Sequence, residues 1–179
     1  MSVLNSKKAY GSVTKSLHWL TALLVIALLA VGLYMTDLPN SPDKFKIYAF
    51  HKSIGITVLT LTLLRVLWHR RSAKPEMVTT LGAMEKKLSK ALHEVFYVLL
   101  AVMPLTGWAL SSAVSFPVSF FGLFTLPPLL APNKELVGLF KELHDDIGIA
   151  LIVLVALHAL ASLKHHFIDK DAVLKRMLP

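Results

Sequence analysis

The residues in this chain that can do chemistry are its histidines. There are eight of them and no cysteine. In the run HDDIGIALIVLVALH, His144 and His158 stand fourteen residues apart with almost nothing polar between them. On an α-helix that spacing is just under four turns, so the two imidazoles share a face about 21 Å apart along the axis. Three other stretches show the same interval: His18 to Gly32, His51 to Arg65 and His93 to Gly107. Imidazole carries protons near neutral pH and ligates metals. Without cysteine, iron–sulfur clusters and thiolate-bound zinc are excluded, and a metal centre must be built from histidine, carboxylate or carbonyl.

The elements that carry these histidines are apolar. The chain has 179 residues, 55% of them hydrophobic, and a mean hydropathy of +0.61, a membrane-protein composition. Four apolar runs lie at about 18–35, 50–68, 93–113 and 144–163. Each is near the ~20 residues that an α-helix needs to cross the hydrocarbon core. The expected architecture is an all-α, integral-membrane four-helix bundle in a single domain over 1–179, with helices at about 17–36, 48–69, 91–113 and 142–165. The first run follows a basic start but is longer than a signal-peptide core, and YMTDLPNSPDK offers no small-residue cleavage site, so it reads as a retained helix.

Orientation follows from the cations. The N-terminal segment (with Lys7, Lys8 and Lys15), the second connection and the C-terminal tail together hold thirteen lysines and arginines, against five on the other side. The positive-inside rule then places both termini in the cytoplasm. The formal charge of +8 reads as a topology signal and contact with anionic lipid, with no nucleic-acid partner.

Sorted by depth, His51 and His144 share an outer level, while His18, His158 and His93 share an inner one. HKSIG and HDDIG repeat a form in which glycine follows histidine by four residues, on the same face one turn on. Gly55 and Gly148 remove bulk beside a ligand, as a flat macrocycle requires, and Gly32 and Gly107 clear room at the outer level. Arg65, at the level of His158, suits a haem propionate. The chemistry that fits two layers of imidazoles on facing helices is bis-histidine ligation of two haems. A zinc or copper site leaves the layers and glycines unexplained, and a proton-relay transporter calls for carboxylates within the spans. A lone histidine in such a run is more often a plain core or interfacial residue. Four in two layers are harder to dismiss, because ionisable groups in a membrane are costly and mark function.

LHWL at 17–20, HKSIGI at 51–56, RVLW at 65–68, LHEVFYVLLAVMPLTGW at 92–108 and the closing LKHHFIDKDAVLKRMLP together resemble the bacterial cytochrome b561 family over nearly the whole chain. The resemblance implies a four-helix membrane cytochrome of the bacterial inner membrane with two haem b groups. His18 and His158 would be the axial ligands near the cytoplasm, and His51 and His144 those near the outer face. His93 has a family counterpart with three open readings: a support for the inner pair, part of a quinone pocket, or a headgroup-level residue. The resemblance further implies electron transfer between the outer face and ubiquinone or another quinone, with superoxide:ubiquinone oxidoreduction as the leading reaction. Two alternatives stand beside it: a cytochrome b subunit serving a periplasmic dehydrogenase or other redox partner, and a non-catalytic haem-binding or scaffold protein.

The remaining features read more plainly. Lys52, with Lys44 and Lys46, stands near His51 as a local attractor for an anion, although acidic residues on that side slightly outnumber the cations. His165 and His166 read as interfacial, His69 as part of a basic shoulder, and Trp19 and Trp68 as aromatic-belt residues. Trp108 lies deeper, within reach of a haem or substrate. The connection SFPVSFFGLFTLPPLLAPN is too rich in proline for a fifth span and too apolar to float in water. It is expected to form an interfacial lid carrying Phe116, Phe120, Phe121 and Phe124.

Overall fold

The computed structural model describes every residue except 1, 8, 79 and 179, so Lys8 lies outside the described residues. Four helices account for most of the chain: α1 (Ser12–Thr36), α2 (Pro42–Arg71), α3 (Ala83–Ala113) and α4 (Lys134–Phe167), with a two-stranded hairpin, β1 (Val118–Phe120) and β2 (Phe124–Leu126), between α3 and α4. All four helices are long and apolar enough to cross a membrane. α1 packs on α2, α2 on α3, and α3 on α4, which is the up-and-down bundle that three successive connections allow.

The helices run past the apolar runs because polar residues cap them. α2 begins at Pro42, a proline at the first turn where its missing N–H costs nothing, and the Ser41 hydroxyl accepts from the Lys44 amide at 3.2 Å. α4 begins at Lys134, about eight residues before its expected start, with the Asn133 side chain accepting from the Glu135 amide. At the start of α3, Glu85 reaches back to accept the Gly82 amide at 2.8 Å. Such polar ends are invisible to a reading of apolar runs.

The bundle core is small. Val25, Val58, Leu100 and Leu151, one from each helix, are buried together and are flanked by side chains such as Leu28, Phe96 and Val155. Large apolar side chains elsewhere, among them Leu23 and Ile26 on α1 and Val153 and Leu160 on α4, point outward. In water such exposure would be prohibitive, whereas hydrocarbon imposes no such penalty.

The two ends of the bundle differ. At one end the N-terminal segment, the α2–α3 connection and the C-terminal tail are knitted together. Trp19 Nε1 donates to the Met177 carbonyl at 2.7 Å, Asn5 Nδ2 to the Ala73 carbonyl at 3.1 Å, and the Glu76 amide to the Lys7 carbonyl at 2.9 Å. His165 is a hub of this end, with Nδ1 2.8 Å from an Asp171 Oδ2 that is also 3.4 Å from the Thr80 hydroxyl. Burial alone would raise the Asp171 carboxyl, but donors from Val173, His165 and Thr80 outweigh it and hold the group below the usual carboxylate value. At the other end the hairpin lies across α2 and turns at Phe121 and Gly122, both at positive φ.

Candidate functional site

The spacing that singled out the histidines places a residue from each helix in three successive layers. Seven residues after His18, His51, His93 and His144 come Val25, Val58, Leu100 and Leu151, the four residues of the buried core. Seven further on stand Gly32, Arg65, Gly107 and His158. Because the helices alternate in direction, His51, His144, Gly32 and Gly107 share the layer at the hairpin end, named the outer layer. His18, His158, His93 and Arg65 share the layer at the end that carries both termini, named the inner layer.

In the outer layer, the rings of His51 and His144 face each other with centres 6.3 Å apart and planes at 72°. They share a cavity of about 380 Å³ whose lining includes Gly32, Gly55, Gly148, Met103, Lys141 and Asp145. The glycines hold different places around it. A Cβ on Gly107 would lie 2.8 Å from the His144 ring, and one on Gly32 would lie 3.5 Å from the His51 ring. Gly107 thus makes room for the His144 imidazole itself, whereas Gly32 stands at ordinary contact distance from His51. A Cβ on Gly55 would meet nothing within 4 Å, and one on Gly148 would meet only Met103 Cε at 3.4 Å. His144 Nδ1 lies 3.1 Å from the Met103 carbonyl and 3.2 Å from the Thr106 hydroxyl. His51 Nδ1 is buried with no hydrogen-bond partner among the described residues.

In the inner layer, His18 and His158 stand 6.4 Å apart, ring centre to ring centre. His93 meets His158 edge-on at 5.6 Å and Phe96 does so at 5.5 Å. His93 is exposed, and its Nδ1 lies 2.6 Å from the Ser89 carbonyl. An Arg65 Nη atom lies 3.3 Å from His18 Nδ1, and its guanidinium sits over the Tyr97 ring. Arginine only donates, so His18 Nδ1 accepts here.

The connection expected as a lid does cover the outer end, but it is built as a β-hairpin. Ser53, next but one to His51 and 2% exposed, holds it. Its hydroxyl lies 2.9 Å from the Ser119 carbonyl and accepts the Phe121 amide at 3.1 Å. Lys52 Nζ donates to the Pro117 carbonyl at 2.8 Å and lies over the Phe116 ring. Lys52 is therefore engaged by the hairpin, with a neutral carbonyl and a ring as its partners. Trp108 likewise spends its indole N–H on the Pro127 carbonyl. Trp68 donates to Thr14, so both belt tryptophans, Trp19 and Trp68, pin polar groups at the knitted end.

Sequence reasoning missed Thr106 and Ser53. Each is a buried helical hydroxyl, Thr106 beside the His144 ring and Ser53 beneath the hairpin. That polarity was the available signal.

Comparison with known proteins identifies the family. The family described as prokaryotic cytochrome b561 matches residues 9–179. Cytochrome b561 homolog 2 of Escherichia coli (strain K12) is 36% identical over 179 residues, covering 99% of this chain and 95% of the relative. Cytochrome b561 homolog 1 of the same organism is 32% identical over 164 residues, covering 91% of this chain and 93% of that protein. A protein named probable superoxide oxidase CybB, from Yersinia pestis, is 31% identical over 172 residues, covering 96% and 97%. With a family match across nearly its whole length and four apolar helices, the chain belongs to the prokaryotic cytochrome b561 family, a multi-pass bacterial membrane protein of a family that binds b-type haem and transfers electrons within the membrane.

Proposed function

We propose that this chain holds two b-type haems, one in each histidine layer, and carries electrons from the outer face of the inner membrane to the quinone pool. The termini lie on the cytoplasmic side in this reading. The observation that carries it is the pair of ring separations, 6.3 Å between His51 and His144 and 6.4 Å between His18 and His158. Two imidazoles bound to one metal at about 2.0–2.1 Å per bond stand with ring centres roughly 6 Å apart. The outer cavity and the open space beside Gly55 further suit a flat macrocycle. Haem, held by these histidines, would supply one-electron chemistry.

The chain's own residues do the rest. His51 and His144 hold the outer group, and His18 and His158 the inner one. The core of Val25, Val58, Leu100 and Leu151 keeps water from the space between them. A ligand imidazole gives one nitrogen to the metal and keeps its proton on the other. If His18 binds through Nε2, its proton sits on Nδ1, so the donor Arg65 must leave it and becomes available to a propionate.

The reaction is superoxide:ubiquinone oxidoreduction. Two superoxide anions each give up one electron and become dioxygen, and quinone takes two electrons and two protons to become quinol. The probable superoxide oxidase among the relatives supports this choice. The test is an optical redox titration of the purified protein, followed by rapid mixing with superoxide and then with quinone. We expect two b-type reduction steps and reduction by superoxide that quinone reverses. Absence of haem absorbance overturns the whole reading, while two haems inert to superoxide overturn the substrate.

A further inference from the structure

We infer that Thr106 is a positioning residue that fixes the orientation of His144 in the outer layer. This rests on the reading of His144 as an axial ligand. Thr106 is 7% exposed and sits one residue before Gly107, against which the His144 ring is pressed. Its hydroxyl donates to the Met103 carbonyl at 2.8 Å. With that proton committed, the oxygen presents lone pairs to His144 Nδ1, 3.2 Å away. The same Nδ1 lies 3.1 Å from the Met103 carbonyl. The ring N–H therefore points between two acceptors that are themselves bonded to each other.

Two acceptors do more than one. Both call for the proton on Nδ1, so Nε2 keeps the lone pair that a metal needs. A single carbonyl would allow the ring to swing about its Cβ–Cγ bond, whose torsional preference is broad. The second acceptor, with Gly107 behind the ring, removes that freedom. His51 has no such arrangement, since its Nδ1 is buried without a partner among the described residues. Orientation at the outer layer thus comes from the α3–α4 side, through Thr106.

A threonine hydroxyl bonded back to a carbonyl of its own helix is common and is by itself only local structure. The test must separate that role from positioning. Thr106→Val keeps the shape and loses the hydroxyl, and Thr106→Ser keeps the hydroxyl. Both are made in the full-length protein, with low-temperature electron paramagnetic resonance of the oxidised haems and haem loss to an excess of a haem-scavenging protein as readouts. For Thr106→Val we expect a changed outer-haem signal and outer-haem affinity weaker by about tenfold or more, with the inner haem unchanged. Thr106→Ser should restore both. If Thr106→Val matches the wild type, or if Thr106→Ser is as altered as Thr106→Val, the inference is overturned. A His144→Ala control keeps the two claims distinct: retention of the outer haem there overturns the ligand reading, whereas its loss beside an unaffected Thr106→Val overturns the positioning role alone.

Discussion

The outer and inner layers are built on one spacing and filled differently. Around His51 and His144, the other two helices contribute Gly32 and Gly107; around His18 and His158, they contribute Arg65 and His93. The outer layer is consequently roomy, with a largely apolar-walled cavity and one imidazole nitrogen beside two acceptors. The inner layer is crowded and polar, with three imidazoles and a guanidinium in contact. One repeat thus yields two environments, and both burial and nearby charge set a haem's potential.

The sharpest way to break this comparison is to remove one ligand from each layer of the shared helix. His144→Ala should cost the outer haem and spare the inner, and His158→Ala should do the reverse, as read by haem-to-protein ratio and the number of reduction steps. The layers are about 21 Å apart on α4, so the two losses should be independent. Loss of both haems from either variant would mean that the layers are not separate sites.

The glycines give the next largest effect. Gly107→Ala puts a methyl 2.8 Å from the His144 ring, backed by helix on both sides, and something must shift. Such overpacking typically costs about 1–3 kcal/mol. Gly32→Ala puts its methyl 3.5 Å from His51, an ordinary contact. Outer-haem affinity should therefore fall by about tenfold or more in Gly107→Ala and by much less in Gly32→Ala, while the inner haem is untouched in both. Equal effects would show that the close approach at Gly107 does not govern the ring.

The spans and both histidine layers were legible in the sequence because polarity stands out against an apolar run. The layer between them was not, since Val25, Val58, Leu100 and Leu151 are apolar residues among apolar neighbours and nothing marks them. Gly32 and Gly107 were visible, but that only Gly107 is pressed on an imidazole is a matter of approach distance, which spacing alone does not give. The hairpin was unreadable for another reason. Its two strands are three residues each, and what holds β1 is Ser53 on a different element, a tertiary contact rather than a local preference. His165 was read as interfacial because its partners, Asp169 and Asp171, lie beyond the end of the helix.

The crowding of the inner layer is tested through its cation. A positive charge favours the electron-rich reduced state, so Arg65→Met should lower the midpoint potential of the inner haem and leave the outer one in place. His18 should remain a ligand, because Arg65 approaches it at Nδ1, the nitrogen that a metal bound at Nε2 does not use and that the guanidinium vacates when the ring is ligated. A redox titration of the variant checks both. An unchanged inner midpoint would mean that Arg65 lies too far from the haem or too well screened to matter, and a shift of the outer midpoint alone would exchange the levels assigned to the two groups.

The smallest effect should come from the clasp above the outer layer. Ser53→Ala removes the acceptor of the Phe121 amide and the hydroxyl facing the Ser119 carbonyl. Losing that part-buried hydrogen bond costs about 0.5–1.5 kcal/mol, spent on local opening rather than on the bundle, because α2 keeps its own backbone bonds. Amide exchange over 118–126 should accelerate while the helices hold their protection. Lys52, bonded to Pro117 and stacked on Phe116, retains the base of the hairpin, so the strands loosen from their turn end first. Both haems should stay bound, since Ser53 touches the hairpin and neither ring. Loss of the outer haem in this variant would make the hairpin part of the wall of the site, and the contrast would then lie between a covered outer layer and a knitted inner one rather than between a roomy layer and a crowded one.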